Sequence, residues 1–175
     1  MSDEKKPVDR FIFPARATYQ VTAGYTMSHA LRSLQQGKFI GQRSPESGRV
    51  YMPPLGSCPL AAMPTTEDVE LSGKGTVISF CVVHIPVHGQ GVKLPFACGD
   101  IVLDGADTQF LALIQECDYS EVRIGMRVEV VWKPEEERTT SLASIKYFRP
   151  IDEPDRTPDE VRAIREKDWR DWKNA

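Results

Sequence analysis

Between residues 69 and 150 the chain shows no helical period, and this constrains its fold more than any other feature. Short runs of alternating or continuous apolar residues are separated by Gly, Pro, Asp and Ser turn signals, which predicts strands at about 75–85, 94–103, 109–115, 127–133 and 144–149. Between the third and fourth, residues 118–125 read as a helical turn capped by Asp118, where a five-stranded OB-type barrel places its connecting helix. A length of 175 residues with 41% hydrophobic side chains suits one such domain with a small appended module. The expected fold is therefore mainly β.

The flanks carry the helical signals. Met27, Ala30, Leu31 and Leu34 fall at i, i+3, i+4 and i+7, with Gly37 placed as the C-terminal cap. Residues 39–43 and 49–52 read as two short strands joined by the turn-forming run Ser44-Pro45-Glu46-Ser47-Gly48, and Pro53 and Pro54 end the second. Near the other end, Thr157-Pro158-Asp159-Glu160 is a capping box with Pro at the first helical position. The helix it starts places Val161, Ile164, Trp169 and Trp172 on one face and mostly charged residues elsewhere. The two tryptophans either pack on this chain's own barrel or anchor a partner, where Trp is enriched among residues that dominate binding. The expected organisation is an N-terminal arm and helix (1–38), a ribbon module (39–66), a barrel (67–150), and a linker with a C-terminal amphipathic helix (151–175).

Net charge is −3, but unevenly spread. Residues 1–50 carry eight basic and four acidic side chains, whereas residues 51–150 carry eight basic and thirteen acidic ones. A barrel of that sign disfavours generic binding to a phosphate backbone. Single-strand nucleic-acid binding, with Phe80, Phe96, Phe110 and Trp132 as stacking platforms, is therefore the weakest alternative. An anion such as a nucleotide phosphate would find its partners in the first quarter, among Arg32, Lys38, Arg43 and Arg49. Four scattered cysteines do not form a disulfide framework, residues 1–8 are charged and lead into no sustained apolar stretch, and no apolar run could cross a bilayer. A reduced, cytoplasmic protein is expected.

Residues 44–61 have the spacing of a zinc ribbon with most of its ligands replaced. Cysteines at 44, 47, 58 and 61 would close a tetrahedral thiolate site, but those positions hold Ser44, Ser47, Cys58 and Ala61. A serine hydroxyl is too weakly acidic to stand in for a thiolate and alanine offers no donor, so zinc is expected to be absent. Val50, Tyr51, Met52, Leu60 and Met63 are expected to hold the ribbon instead, against the 27–34 helix or a partner.

This ribbon, preceded by Leu34-Gln35-Gln36-Gly37-Lys38-Phe39-Ile40-Gly41-Gln42-Arg43 and followed by Glu70-Leu71-Ser72-Gly73-Lys74-Gly75-Thr76-Val77, resembles a known family. The likeness continues through Phe80-Cys81-Val82-Val83-His84-Ile85-Pro86, Leu94-Pro95-Phe96, Ile101-Val102-Leu103-Asp104-Gly105, Val122-Arg123-Ile124-Gly125-Met126-Arg127-Val128-Glu129-Val130 and Tyr147-Phe148-Arg149-Pro150. It covers about residues 27–150 and is similar to the acyl-CoA-associated family, domain of unknown function 35, which joins a rubredoxin-like zinc ribbon to an OB-fold. The resemblance implies a non-catalytic accessory subunit bound to a thiolase-like enzyme in a hetero-oligomer. The partner would supply the chemistry on a CoA thioester, by thiolysis, acyl transfer or retro-aldol cleavage, in catabolism such as that of steroid side chains or aromatic acids. A free-standing acyl-CoA-binding or scaffold module is the leading alternative.

Nothing in the residues marks an enzyme in its own right. No catalytic triad, P-loop or dinucleotide fingerprint is present. His84 and His88 would lie about 13 Å apart along an extended strand, too far to share a metal. Cys81, Cys98 and Cys117 are expected as small core residues, His29 as a solvated or interface histidine, and Glu135-Glu136-Glu137 as a solvated loop with Arg138 turning back.

Overall fold

A computed structural model describes residues 15–86 and 91–174, with side chains described as far as residue 167. Helix α1 (Gly24–Gln35) buries Ala30, Ser33 and Leu34. It ends in a Schellman motif, in which the Lys38 N–H reaches the Ser33 carbonyl and the Gly37 N–H reaches that of Leu34. Gly37 adopts φ +75°, a left-handed conformation that glycine reaches without steric penalty.

Strands β1 (Phe39–Arg43), β2 (Val50–Tyr51) and β3 (Glu67–Leu71) form an antiparallel sheet in the order β2-β1-β3. The first two were expected. β3 was not, and it lies beyond residue 66, pairing with the whole of β1 from Phe39↔Leu71 to Arg43↔Glu67.

The remaining five strands are β4 (Lys74–Val83), β5 (Phe96–Leu103), β6 (Gln109–Ile114), β7 (Arg127–Trp132) and β8 (Ile145–Pro150). They close into a barrel in the order β4-β5-β6-β8-β7, with β6 and β8 parallel at Ile114↔Phe148 and the other pairs antiparallel. This is the mainly β, five-stranded OB architecture that the strand count predicted. The turn expected at 118–125 forms at its start, where the Glu121 N–H donates to the Asp118 carbonyl at 3.0 Å, but it does not continue into a connecting helix. Asp118 Oδ1 instead accepts the Ser120 N–H at 2.9 Å and closes a tight turn.

The core is continuous from ribbon to barrel. Phe39 from β1, only 1% exposed, packs its ring on Trp132, Phe110 and Phe148 with centroids 4.8, 6.0 and 6.3 Å away. Helix α2 (Pro158–Asn174) starts at the predicted capping box: the Thr157 N–H donates to Glu160 at 2.7 Å, and Thr157 Oγ1 accepts the Glu160 N–H at 3.3 Å. Val161 and Ile164 then pack on Ile78 and Val102 of the barrel's outer face. Among the described residues no helix is long and apolar enough to cross a membrane.

Candidate functional site

The four ribbon positions that the spacing singled out do converge. Each pair sits on a similar backbone turn. The Gly48 N–H donates to the Ser44 carbonyl at 2.8 Å, and the Ala62 N–H donates to the Cys58 carbonyl at 2.8 Å. The residue after each second ligand position has positive φ, +69° at Gly48 and +53° at Ala62. Both turns thus keep the shape of a metal-binding knuckle although only one carries a cysteine. Ala62 holds the left-handed conformation without glycine's freedom, a local strain that the surrounding turn must sustain.

Between the knuckles lies a cluster of hydroxyls around one sulfur. Cys58 is 1% exposed, and its Sγ lies 3.2 Å from the Tyr51 hydroxyl and 3.4 Å from Ser47 Oγ. Burial alone would push the Cys58 thiol up. The hydroxyls of Ser44, Ser47 and Tyr51 and the Ala61 N–H outweigh it and lower the thiol to about 6, so the protein donors around the sulfur favour its thiolate form. Tyr51 moves the other way, pushed to about 12 by burial and by donating to that sulfur. Among the described residues no group of three or more Cys, His, Asp or Glu could hold a metal ion. One thiol, two hydroxyls and an alanine do not match the donor set of a structural zinc.

Ribbon, barrel and α2 meet at the β5–β6 turn, a feature that local sequence patterns did not reveal. Asp107 accepts the Val50 N–H at 2.8 Å and returns its own N–H to the Val50 carbonyl, while Thr108 Oγ1 both accepts the Met52 N–H and donates to the Met52 carbonyl, each at 2.8 Å. From α2, Lys167 reaches Asp107, and the Lys167 carbonyl accepts from the Arg49 guanidinium at 2.7 Å. Arg49 is thus buried inside this junction at 2% exposure, which removes it from the set of surface anion contacts. Arg43 and Lys38 are engaged with Glu67 and Glu70. A cavity of about 430 Å³ opens beside the junction, lined in part by Asp104, Asp107, Arg156 and Lys167.

α2 covers the Ile78 and Val102 part of the β4–β5–β6 outer face, and the next two cross-strand rows are only partly covered, with Leu111 and Cys81 exposed and their neighbours half-buried. These rows are Ser79–Asp100–Leu111 and Cys81–Cys98–Leu113. Leu111 is 67% exposed there, and Leu55 and Met63 add exposed apolar surface on the ribbon. Met63 therefore does not hold the ribbon from inside, whereas Val50, Tyr51 and Met52 do. The side chains of Trp169 and Trp172 lie outside the described residues, as does His88.

Cys81 corrects an expectation: it is exposed, while Cys98 and Cys117 are half-buried and Cys58 is the buried one. Phe110 and Trp132 are not free stacking platforms, because their rings pack on Phe39. His84 packs edge-on against Tyr119, and His29 Nδ1 lies 3.1 Å from Asp68. Glu135–Glu137 is an exposed 3-10 turn, with Arg138 Nε donating back to the Lys133 carbonyl as expected.

Comparison with known proteins places this geometry. Residues 68–133 match the family model described as ChsH2, C-terminal OB-fold domain. The chain is 32% identical over 116 residues to a DUF35 domain-containing scaffold protein of Methanocaldococcus jannaschii, covering 65% of this chain and 82% of that one. A protein of the same description from Pyrococcus furiosus is 31% identical over 108 residues, covering 61% and 79%. Among solved structures, one described as the Ltp2-ChsH2(DUF35) aldolase superposes with a TM-score of 0.56 at 22% identity, over 77% of this chain and 98% of that one. A DUF35 protein of unknown function from Sulfolobus solfataricus gives 0.57 at 16% identity, over 73% and 87%. The structural likenesses are of fold, and the sequence matches are of lineage: the chain belongs to the DUF35 family.

Proposed function

We propose that this chain is a non-catalytic accessory subunit that binds a thiolase-like enzyme acting on acyl-CoA thioesters, and that it assembles that enzyme or shapes its acyl-CoA channel. The observation that carries the reading is the outer face beside α2, where Leu111 is exposed and Leu113 half-buried on the barrel next to a helix that continues toward Trp169 and Trp172. Relatives described as scaffold proteins, and a structural neighbour described as an aldolase that pairs ChsH2 with Ltp2, support it. The test is co-expression with the thiolase-like protein encoded nearest to it. The expected result is a stable complex and a partner that loses solubility or activity without this chain. Trp169→Ala with Trp172→Ala, and separately Leu111→Arg, are expected to weaken the complex at least tenfold. A partner that is soluble and fully active alone, with no complex formed, overturns the reading.

We also propose that the ribbon holds its shape without zinc, through the Tyr51 and serine hydroxyls on the Cys58 thiolate. A folded-state thiol at about 6, against an unfolded value near 9, is a depressed acid. Its contribution is fully present above pH 9 and is lost as pH falls through 6, so stability should rise with pH across that interval. Ultraviolet thiolate absorbance should titrate near pH 6 in wild type and vanish in Cys58→Ala. A chelator should leave both the midpoint and the stability unchanged. One tightly held zinc per chain, released with loss of structure, would refute the proposal.

A further inference from the structure

Cys81 and Cys98 are seventeen positions apart in the chain, yet the β4–β5 register sets them directly opposite each other. Their Sγ atoms lie 3.4 Å apart on the exposed outer face of the barrel. Opposed residues of an antiparallel pair have Cα atoms about 4.5 or 5.5 Å apart, inside the window a disulfide needs. Bond formation therefore requires side-chain rotation and no movement of the strands. The other two thiols are placed differently: Cys58 is enclosed in the ribbon cluster and Cys117 follows β6, half-buried.

We infer that Cys81 and Cys98 form a reversible redox site, closing to a cross-strand disulfide with a small-molecule disulfide as oxidant. Exposed Cys81 is the sulfur the oxidant reaches. Its thiolate attacks one sulfur of the oxidant, breaks that S–S bond and releases one thiolate, leaving Cys81 in a mixed disulfide. Cys98 then loses its proton and attacks the Cys81 sulfur, releasing the second thiolate. In total, two protein thiols are oxidised by two electrons and one oxidant molecule is reduced to two thiols, which take up the two protons. Cys98 suits the resolving role. It is half-buried beside exposed Cys81 with the two sulfurs 3.4 Å apart, so the oxidant meets Cys81 first and Cys98 is in place to attack it. Burial and the contact with Cys81 push the Cys98 thiol up to about 11, so the second step should quicken as pH rises. The closed bond would lock β4 to β5 at the base of the 84–95 connection and change the chemistry of that outer face. This site belongs to the chain itself and does not depend on the accessory-subunit reading.

The test uses the purified full chain, titrated with mixtures of oxidised and reduced glutathione at mildly alkaline pH. Intact mass should show the loss of two hydrogens with no added glutathione, peptide mapping should link Cys81 to Cys98, and dithiothreitol should reverse both. The oxidised protein should melt about 5 °C higher, because the bond constrains a short loop of the unfolded chain. Cys98→Ser should instead retain one glutathione on Cys81, whereas Cys81→Ser should take up little. A stable mixed disulfide in the wild type, a link to Cys58 or Cys117, a dimer joined between chains, or no oxidation at all would each overturn the inference.

Discussion

Phe39→Ala is expected to destabilise the entire chain by about 4 kcal/mol, the range for removing a fully buried phenylalanine. The side chain belongs to the ribbon sheet, but its ring lies among Trp132, Phe110 and Phe148 of the barrel. Truncation therefore opens a cavity where the two parts meet, and the aromatic neighbours are held by β6, β7 and β8, which cannot collapse inward to fill it. Because Leu34, Met52 and Leu71 belong to the same buried cluster as Val128 and Phe148, ribbon and barrel should unfold together. In urea, tryptophan fluorescence and far-ultraviolet circular dichroism should show one coincident transition at a lower midpoint. Two separated transitions, with the barrel signal at its wild-type midpoint, would mean that the ribbon is an independent module and that Phe39 stabilises it alone.

That coupling explains what was readable in the sequence and what was not. The five barrel strands, α1 with its Gly37 cap and the Thr157–Glu160 box are set by local periodicity and turn chemistry, and each formed where expected. β3 escaped because Glu67-Asp68-Val69-Glu70-Leu71 is mostly acidic and its alternation rests on only two apolar residues, Val69 and Leu71; it is a strand because β1 offers it an edge. The segment 118–125 makes its Asp118-capped turn but goes no further, because Asp118 satisfies the nearby N–H groups within that turn and too few residues remain to propagate a helix. Cys81 was misplaced because β4 is apolar on both faces near its centre, and a register shift between Val77 and Ser79 changes which face each later residue occupies. The convergence of Ser44, Ser47, Cys58 and Ala61 was legible from spacing alone. The part of Tyr51 was not, since a tyrosine in a short strand gives no sign that its hydroxyl will meet a sulfur seven residues away.

Arg127→Met should cost about 3 kcal/mol, toward the lower end for breaking a buried ion pair, because its acidic partners keep some contact with water. The Arg127 side chain is 4% exposed and holds Asp104 with two hydrogen bonds of 2.8 and 2.5 Å, Glu153 at 3.1 Å and the Thr76 hydroxyl at 2.9 Å. Removing the guanidinium leaves two carboxylates facing each other with Lys74 as the remaining cation on Glu153. Arg127→Lys should recover only part of the loss, because an ammonium cannot present a planar fork to Asp104 while also reaching Glu153 and Thr76. Lys74 and Arg127 hold the Glu153 carboxyl below its usual range, so its contribution is present above about pH 4.5 and is lost on acidification. The acid side of the stability profile should accordingly flatten in Arg127→Met. The same network seats the segment leading to α2: the Ile151 N–H donates to the Arg127 carbonyl at 3.1 Å, and the Arg156 N–H donates to Gly125 at 2.9 Å. Gly125 permits that approach, since a Cβ there would stand 2.4 Å from the Arg156 carbonyl oxygen. Loosening this segment should free α2 from Ile78 and Val102, so limited proteolysis should cut within residues 151–167 faster in Arg127→Met than in a barrel variant of equal stability. Equal cleavage in the two would mean that Val161 and Ile164 hold the helix by themselves and that the ion network only closes the barrel between β4 and β7.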